Sequence, residues 1–295
     1  MSEPDGRHVG GYDPARGHQL VAEAADIVRS LGFAASHVVL IGGLVPGLLV
    51  PVLDPGIEPH VGTADIDLCL SVALVEGDTA TYERMEAVLR RLGFAESGAS
   101  FRWRRASGVP VTVEFFCPAK EGRPAGQVFR PAAADNPTGK HNLGGRLSAL
   151  VLDAGDALTT DVEVVTQEVV LPDGKGTTAV SLRVTGPLGF LVAKSQALIG
   201  PTARDKPKDA YDIVWLVESW PGGPAAAAAT FSARPLYGSP QVTAAINGIA
   251  EAFRSVDHVG ARSYARFLAS SPAEEPALER RAVGAIAEWL NALPR

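Results

Sequence analysis

The sequence predicts an α+β fold in which a mixed β-sheet with flanking helices is followed by a C-terminal helical domain. Short apolar runs rich in β-branched residues predict strands in the first part of the chain, and turn signals such as Asp173-Gly174 separate them. After Gly186-Pro187 the pattern changes to successive stretches with helical spacing. We therefore predict an N-terminal α/β domain at 1–185 and a helical domain at 186–295.

Most of the chain can be assigned to helices and strands. Apolar residues at helical spacing predict helices, and β-branched or alternating runs predict strands. In the N-terminal domain the predicted helices are 19–31, 44–50 and 81–92. The predicted strands are 38–41, a strand that begins at residue 65, 101–105, 109–116, 162–170 and 178–184. Residues 117–147, rich in Pro, Gly and Ala, receive no regular structure. The predicted C-terminal helices are 188–199, 206–219, 240–254, 260–270 and 276–292, with a further helical piece at the alanine run 225–229.

The composition is that of a globular protein, with 46% hydrophobic and 20% charged residues in a chain of 295. No apolar run approaches the length of a membrane span, and the start of the chain lacks the apolar core of a signal peptide. Two cysteines are too few for a disulfide framework or a zinc cluster. We expect a cytoplasmic protein with no membrane partner. The net charge of −6 argues against a generally basic surface, although a local basic groove is compatible with it.

The segment Gly62-Thr63-Ala64-Asp65-Ile66-Asp67-Leu68 contains the most informative pair of residues. Side chains alternate along a strand, so Asp65 and Asp67 point the same way while Ile66 and Leu68 enter the core. Two carboxylates roughly 7 Å apart repel each other unless a cation lies between them. A divalent cation such as Mg²⁺ suits such oxygen ligands and usually also holds substrate phosphates. The pair therefore indicates phosphoryl or nucleotidyl transfer.

A Gly42-Gly43 pair follows the first predicted strand. Without a Cβ atom, glycine lets the backbone approach a ligand closely, and successive N–H groups there can bind a triphosphate. Taken alone, such a pair is more typical of an ordinary turn. Its significance depends on the Asp-x-Asp strand that follows.

A strand, Gly-Gly, a connecting helix and Asp-x-Asp on the next strand together resemble the DNA polymerase β-like nucleotidyltransferase superfamily. Residues 60–68, His-Val-Gly-Thr-Ala-Asp-Ile-Asp-Leu, with residues 208–213, Lys-Asp-Ala-Tyr-Asp-Ile, resemble its AbiEii type. These are the toxin halves of bacterial toxin–antitoxin systems, among them the mycobacterial MenT toxins. The matched motifs lie within residues 38–217. The resemblance implies a nucleotidyltransferase-type sheet.

The resemblance implies that Asp65 and Asp67 hold Mg²⁺, or Mn²⁺ in its place, with an NTP as co-substrate. It also implies a third carboxylate from a nearby strand, and Glu114 is the candidate. A charged residue among aliphatic and aromatic neighbours needs a partner, which a metal site would supply. The strand pattern alone fits an exposed edge position for Glu114 equally well.

The resemblance further implies a lysine that faces the nucleotide phosphates, at Lys194, and a functional carboxylate at Asp212. Lys208 and Asp209 would support nucleotide binding from the same helix as Asp212. Without the resemblance, Lys194 on its apolar helix would extend to solvent, and Lys208 and Asp212 would form an ordinary solvated i,i+4 pair.

The nucleotide-binding residues implied on the N-terminal side are Gly42, Gly43 and Thr63. The family often has a hydroxyl residue after its glycines, whereas this chain has Leu44, and Thr63 or Ser71 is the candidate substitute.

Basic residues cluster twice. They are Arg102, Arg104 and Arg105 around Trp103, and Arg204, Lys206 and Lys208 before the motif helix. Such clusters can bind phosphates and stack a base. The alternative, which we favour, is a hairpin whose alternate residues face solvent.

The implied function is transfer of NMP from an NTP to an RNA acceptor such as the tRNA 3′ end, which would block translation. A toxin of this kind implies a cognate antitoxin as partner. Alternative acceptors are a small molecule or a protein side chain, and the acidic net charge favours these over RNA. A catalytically silent nucleotide-binding regulator and a metal-dependent nuclease are the remaining alternatives.

Overall fold

The computed structural model describes residues 8–71, 79–107, 110–130, 147–200, 203 and 206–294. The chain divides into two compact units. The sheet unit comprises Ala15–Leu44 and Thr63–Thr185, and the helical unit comprises Met1–Pro14, Val45–Gly62 and Gly186–Arg295. The helical unit is therefore discontinuous in sequence. The assignment of 1–185 and 186–295 as domains stays a prediction.

The strands form a single mixed sheet within the described residues, all of it in the sheet unit. The strands are β1 Val38–Ile41, β2 Asp65–Leu70, β3 Ala95–Ser97, β4 Ala99–Arg105, β5 Val111–Pro118, β6 Val128–Phe129, β7 Ala149–Leu152, β8 Val162–Val170 and β9 Thr177–Thr185. Their order is β3-β4-β5-β2-β1-β9-β8, and β7 pairs with both β5 and β6. Strand β2 lies near the middle, antiparallel to β1 and parallel to β5.

The register of the central strands aligns charged and polar residues in two rows. Asp67 pairs with Ile41 on β1 and with Glu114 on β5, and Glu114 pairs in turn with Arg102 on β4. Paired residues of adjacent strands project to the same face of a sheet. Asp67, Glu114 and Arg102 therefore form one row across three strands. Asp65, Thr112 and Arg104 form the next row.

Helices occur in both units. They are α1 Pro14–Leu31, α2 Val45–Leu49, α3 Thr79–Arg91, α4 Gly155–Thr160, α5 Pro187–Ile199, α6 Lys208–Glu218, α7 Gly223–Ser232, α8 Pro240–Ala252, α9 Val259–Leu268 and α10 Glu275–Ala292. In the sheet unit, α1 buries Leu20, Ala24, Ile27 and Leu31, which recur at helical spacing.

Helix α6 is the most buried element of the helical unit. Every residue from Lys208 to Val217 is buried, although the stretch includes three charged side chains. A helix that is buried all round occupies the centre of its unit. Large apolar side chains of neighbouring helices complete this core, among them Phe231, Phe267 and Trp289.

The α+β class is confirmed: a mixed sheet with helices is accompanied by a mainly helical C-terminal part. Each predicted helix and strand is present, with bounds that differ by a few residues. The elements missed are the short ones, β3, β6, β7 and α4. Of the unassigned segment 117–147, residues 131–146 lie outside the described residues. In the described part of the chain, no helix has both the length and the apolar character needed to cross a bilayer.

Candidate functional site

Three carboxylates come together on one face of the sheet. Asp65 and Asp67 project from β2 and Glu114 from the adjacent β5, and one oxygen from each lies within 4.8 Å of the other two. Ile66 and Leu68, between and beyond the two aspartates, are fully buried on the opposite face. The alternation predicted from the sequence thus holds for β2. The third carboxylate lies beside the pair, as the resemblance implies.

Gly42 borders the carboxylate of Asp67. Its φ angle of +75° lies in the left-handed region, and a Cβ atom built there would lie 2.0 Å from Asp67 Oδ2. No side chain larger than hydrogen fits without moving that carboxylate. The geometry therefore gives Gly42 a definite requirement: the turn after β1 leaves room for Asp67.

Two further side chains hold the other two carboxylates. The Thr63 hydroxyl donates a hydrogen bond of 2.6 Å to Asp65 Oδ1, and Arg102 Nε donates one of 2.6 Å to Glu114 Oε1. The Glu114 side chain is only 12% exposed, and β5 is paired on both sides. The alternative of an exposed edge position for Glu114 is therefore wrong.

The donor set fits a divalent cation. Three carboxylates within 4.8 Å of one another concentrate negative charge, and each is a hard oxygen ligand of the kind that Mg²⁺ and Mn²⁺ bind. Asp65 and Asp67 are half-buried, so this side of the cluster remains accessible. These residues would hold one or more metal ions together with phosphate oxygens.

The other predicted charged residues form an ion-pair network in the helical unit. Lys194 Nζ lies 2.7 Å from Asp209 Oδ1 and 2.6 Å from Asp212 Oδ2, and Lys208 Nζ lies 2.6 Å from Asp212 Oδ1. The Lys194 side chain is 13% exposed, and both Lys208 and Asp212 are buried. Lys194 therefore does not extend to solvent. The alternative that Lys208 and Asp212 form an ordinary solvated i,i+4 pair is likewise wrong, because both residues are buried.

His60 joins this network, which sequence reasoning did not foresee. Its Nδ1 accepts a hydrogen bond from the backbone N–H of Gly62, so Nε2 carries the proton and donates to Asp212 Oδ1 at 2.9 Å. The imidazole stacks on Tyr211 and meets Trp215 edge-on. None of the six histidines has the spacing of a metal ligand, and the position of His60 just before the Asp-x-Asp strand was its one sequence signal.

The network favours the charged forms of Asp212 and Lys194 despite their burial. Burial favours the neutral form of Asp212, but Lys194, Lys208 and His60 outweigh it and hold the pKa of Asp212 well below its usual range. Burial lowers the pKa of Lys194, but Asp209 and Asp212 more than compensate and raise it above its usual value. Burial lowers the pKa of His60 to about 4. At neutral pH His60 is therefore uncharged. Burial also lowers the pKa of Lys208, and the neighbouring Asp212 only partly offsets that effect.

The basic cluster on β4 does not offer a stacking surface. Trp103 is fully buried, and the buried Arg105 pairs with Glu23 on α1. Trp103 therefore cannot stack on a base, and the solvent-facing hairpin describes this strand better. Arg104 is exposed and Arg102 is 43% exposed. In the second cluster Arg204 lies outside the described residues.

The fold has a distant likeness among solved structures. No protein-family model and no curated protein match the chain. The crystal structure of an antigenic nucleotidyltransferase-like protein from Paracoccidioides brasiliensis is similar over 93% of this chain and 94% of that chain, with 14% identity and a TM-score of 0.44. A likeness at this level supports no conclusion about activity.

Proposed function

We propose that the chain is a Mg²⁺- or Mn²⁺-dependent nucleotidyltransferase. The observation that carries the proposal is the cluster of Asp65, Asp67 and Glu114, whose carboxylate oxygens lie within 4.8 Å of one another on one sheet face. A bound metal ion supplies charge neutralisation for the triphosphate and for the transition state. The motifs that resemble AbiEii-type enzymes favour this chemistry over other uses of a carboxylate cluster.

The reaction joins an acceptor oxygen to the α-phosphorus of an NTP and breaks the bond between the α-phosphorus and the bridging oxygen to the β-phosphate. Asp65, Asp67 and Glu114 are the residues that would hold the metal. Glu114 would also orient the acceptor hydroxyl and take up its proton. Pyrophosphate is the leaving group. The chain contributes mainly positioning and electrostatic stabilisation, which dominate this class of reaction.

The roles of the remaining predicted residues are part of the same proposal. Lys194 neutralises the phosphates of the leaving group, Asp209 and Asp212 fix its ammonium group, and Lys208 binds Asp212. The raised pKa of Lys194 supports this role, because the lysine stays charged at any physiological pH. Gly42, Gly43 and Thr63 border the nucleotide in the proposal.

The finer proposal is that the acceptor is RNA, such as the tRNA 3′ end, and that the protein is the toxin of a toxin–antitoxin pair with a cognate antitoxin. Its support is the combination of the residue 60–68 motif with the Lys-Asp-x-x-Asp helix. Transfer to a tRNA 3′ end would block aminoacylation and so stop translation.

A small molecule or a protein side chain is the second candidate acceptor, and the net charge of −6 favours it. The two candidates differ in salt dependence. Each phosphate neutralised by a basic side chain releases counterions, so RNA binding weakens steeply as salt increases, with a slope near −0.7 per contact on logarithmic axes for single strands. Small-molecule binding lacks this dependence.

The test is incubation of purified protein with Mg²⁺, each α-labelled NTP in turn, and either total tRNA or a small-molecule extract. The Asp67→Asn variant removes one carboxylate charge from the cluster. Asp257→Asn is the matched control, because that side chain is 79% exposed and lies in the helical unit. We expect label on tRNA with wild type and Asp257→Asn, and a loss of at least about a hundredfold with Asp67→Asn.

Label on a small molecule or on protein would retain the transferase and overturn the RNA acceptor. Shortening of RNA in the absence of any NTP would replace the transferase with a nuclease. NTP binding without turnover on any acceptor would indicate a silent regulator.

A further inference from the structure

Arg102 contacts one oxygen of Glu114 through two of its nitrogens. Nε donates to Oε1 at 2.6 Å, and a terminal nitrogen of the same guanidinium also contacts Oε1. The contact follows from the register, because Arg102 on β4 lies directly opposite Glu114 on β5. Charge-assisted hydrogen bonds of this kind are among the strongest that a side chain makes.

The contact with Arg102 restricts the rotation of the Glu114 side chain, which matters because Glu114 belongs to the carboxylate cluster. A glutamate loses on the order of 1–2 kcal/mol of rotamer entropy when it is fixed, and it must be fixed to bind a metal together with two aspartates. The three carboxylates also repel one another at this separation. Arg102 opposes both effects, because it attaches to Oε1 and places a positive charge on the side of Glu114 away from β2.

We infer that Arg102 is a positioning residue of the carboxylate cluster, which holds Glu114 in the orientation required for a divalent cation. The inference deepens the proposed function and rests on it, since it assigns a role to Arg102 only if the cluster binds metal. Residues that hydrogen-bond to a metal ligand commonly change metal affinity by ten- to a hundredfold when they are removed.

Arg104 provides a matched control on the same strand. It lies two residues from Arg102 on the same sheet face and pairs with Thr112, which is not a carboxylate. Loss of Arg104 therefore removes an equal charge from this face and leaves the contact to Glu114 in place. If arginine acted on the metal merely through its positive charge, both substitutions would strengthen metal binding.

The experiment measures Mn²⁺ binding to the full chain without nucleotide, by calorimetry and by the loss of the free-ion electron paramagnetic resonance signal. The proteins are wild type, Arg102→Ala, Arg102→Lys, Arg104→Ala and Asp67→Asn. We expect Arg102→Ala to raise the Kd for Mn²⁺ by about ten- to a hundredfold, with Arg102→Lys in between. Arg104→Ala keeps the wild-type Kd within about twofold. Thermal melting in EDTA verifies that each variant folds.

The outcomes separate the inference from the proposed function. Wild-type binding that is lost in Asp67→Asn but unchanged or tighter in Arg102→Ala overturns the inference and leaves the metal site intact. Absence of Mn²⁺ binding in wild type overturns both. Should Arg102→Ala fail to fold, Arg102→Lys decides: a weaker affinity than wild type supports positioning, and an equal one overturns it.

Discussion

At Gly42, the absence of a Cβ atom leaves room for the Asp67 carboxylate of the site. The residue has a φ angle of +75°, and a Cβ atom there would lie 2.0 Å from Asp67 Oδ2. Both the backbone and the neighbouring carboxylate therefore require glycine. A Gly-Gly pair is visible in the sequence, but the sequence alone does not tell a turn glycine from one that makes room for the Asp67 carboxylate.

The first prediction concerns Gly42→Ala. The added methyl group displaces the Asp67 carboxylate, so the Kd for Mn²⁺ should rise by about tenfold or more. Gly98→Ala is the control, because Gly98 has a φ angle of +72° with no atom within 4 Å of an added Cβ. Both variants incur the backbone strain, about 1 kcal/mol, and only Gly42→Ala should lose metal affinity. Wild-type affinity in Gly42→Ala would contradict the account.

The buried imidazole of His60 makes the stability of the folded protein depend on pH. Burial lowers its pKa from 6.5 to about 4, so at pH 5 the unfolded chain binds a proton at His60 and the folded chain does not. Stability then rises with pH through this window. Wild type should therefore lose up to about 3 kcal/mol of unfolding free energy at this residue as pH falls from 6.5 to 4.

His60→Asn, which keeps an N–H donor for Asp212, should remove much of that pH dependence. The measurement is urea denaturation at pH values between 4 and 7. The control is His18→Asn, an exposed position on α1, which should retain the wild-type dependence. A slope in His60→Asn equal to that of wild type would show that another group governs stability in this range.

Among the elements of the described chain, α6 has the most buried charged residues: Lys208, Asp209 and Asp212. Asp212 on this helix forms ion pairs with Lys194 and Lys208 and accepts a hydrogen bond from His60. Removal of one member of a buried ion-pair network leaves its partners charged and desolvated. The loss typically costs about 3–5 kcal/mol.

Asp212→Ala should accordingly reduce the unfolding free energy by about 3–5 kcal/mol, measured by denaturant titration at pH 7. Asp257→Ala, at an exposed aspartate of the same unit, should change it by no more than about 0.5 kcal/mol. Adding Lys208→Met to Asp212→Ala should recover part of the loss, because one unpaired ammonium group is removed. A cost below about 1 kcal/mol for Asp212→Ala would contradict the burial of a charged network.

The sequence predicted the long elements because their periodicity is strong. Strand β2 and helix α6 both have patterns that extend over six or more residues. Strands β6 and β7 and helix α4 were missed because elements of two to six residues contain too few side chains to show a period. The carboxylate cluster could be predicted from Asp-x-Asp and the resemblance. The Arg102–Glu114 contact could not, because it depends on the register of β4 against β5.

For the whole molecule, the sequence did not predict which distant segments belong to the same compact unit. Residues 45–62 separate two parts of the sheet unit in the chain, yet they belong to the helical unit. Contacts from this segment to α6 explain its assignment: the Tyr211 hydroxyl accepts from the backbone N–H of Val61, and Trp215 Nε1 donates to the carbonyl of Glu58. Composition and periodicity do not contain such long-range pairings.

The most direct test of nucleotidyl transfer is a paired labelling experiment on the intact protein. Wild type and Asp67→Asn are incubated with Mg²⁺, the acceptor and one NTP labelled at either the α- or the γ-phosphorus. The account predicts that wild type moves the α-label to the acceptor and releases the γ-label in pyrophosphate, and that Asp67→Asn does neither. Transfer of the γ-label to the acceptor, or α-label transfer undiminished in Asp67→Asn, would contradict it.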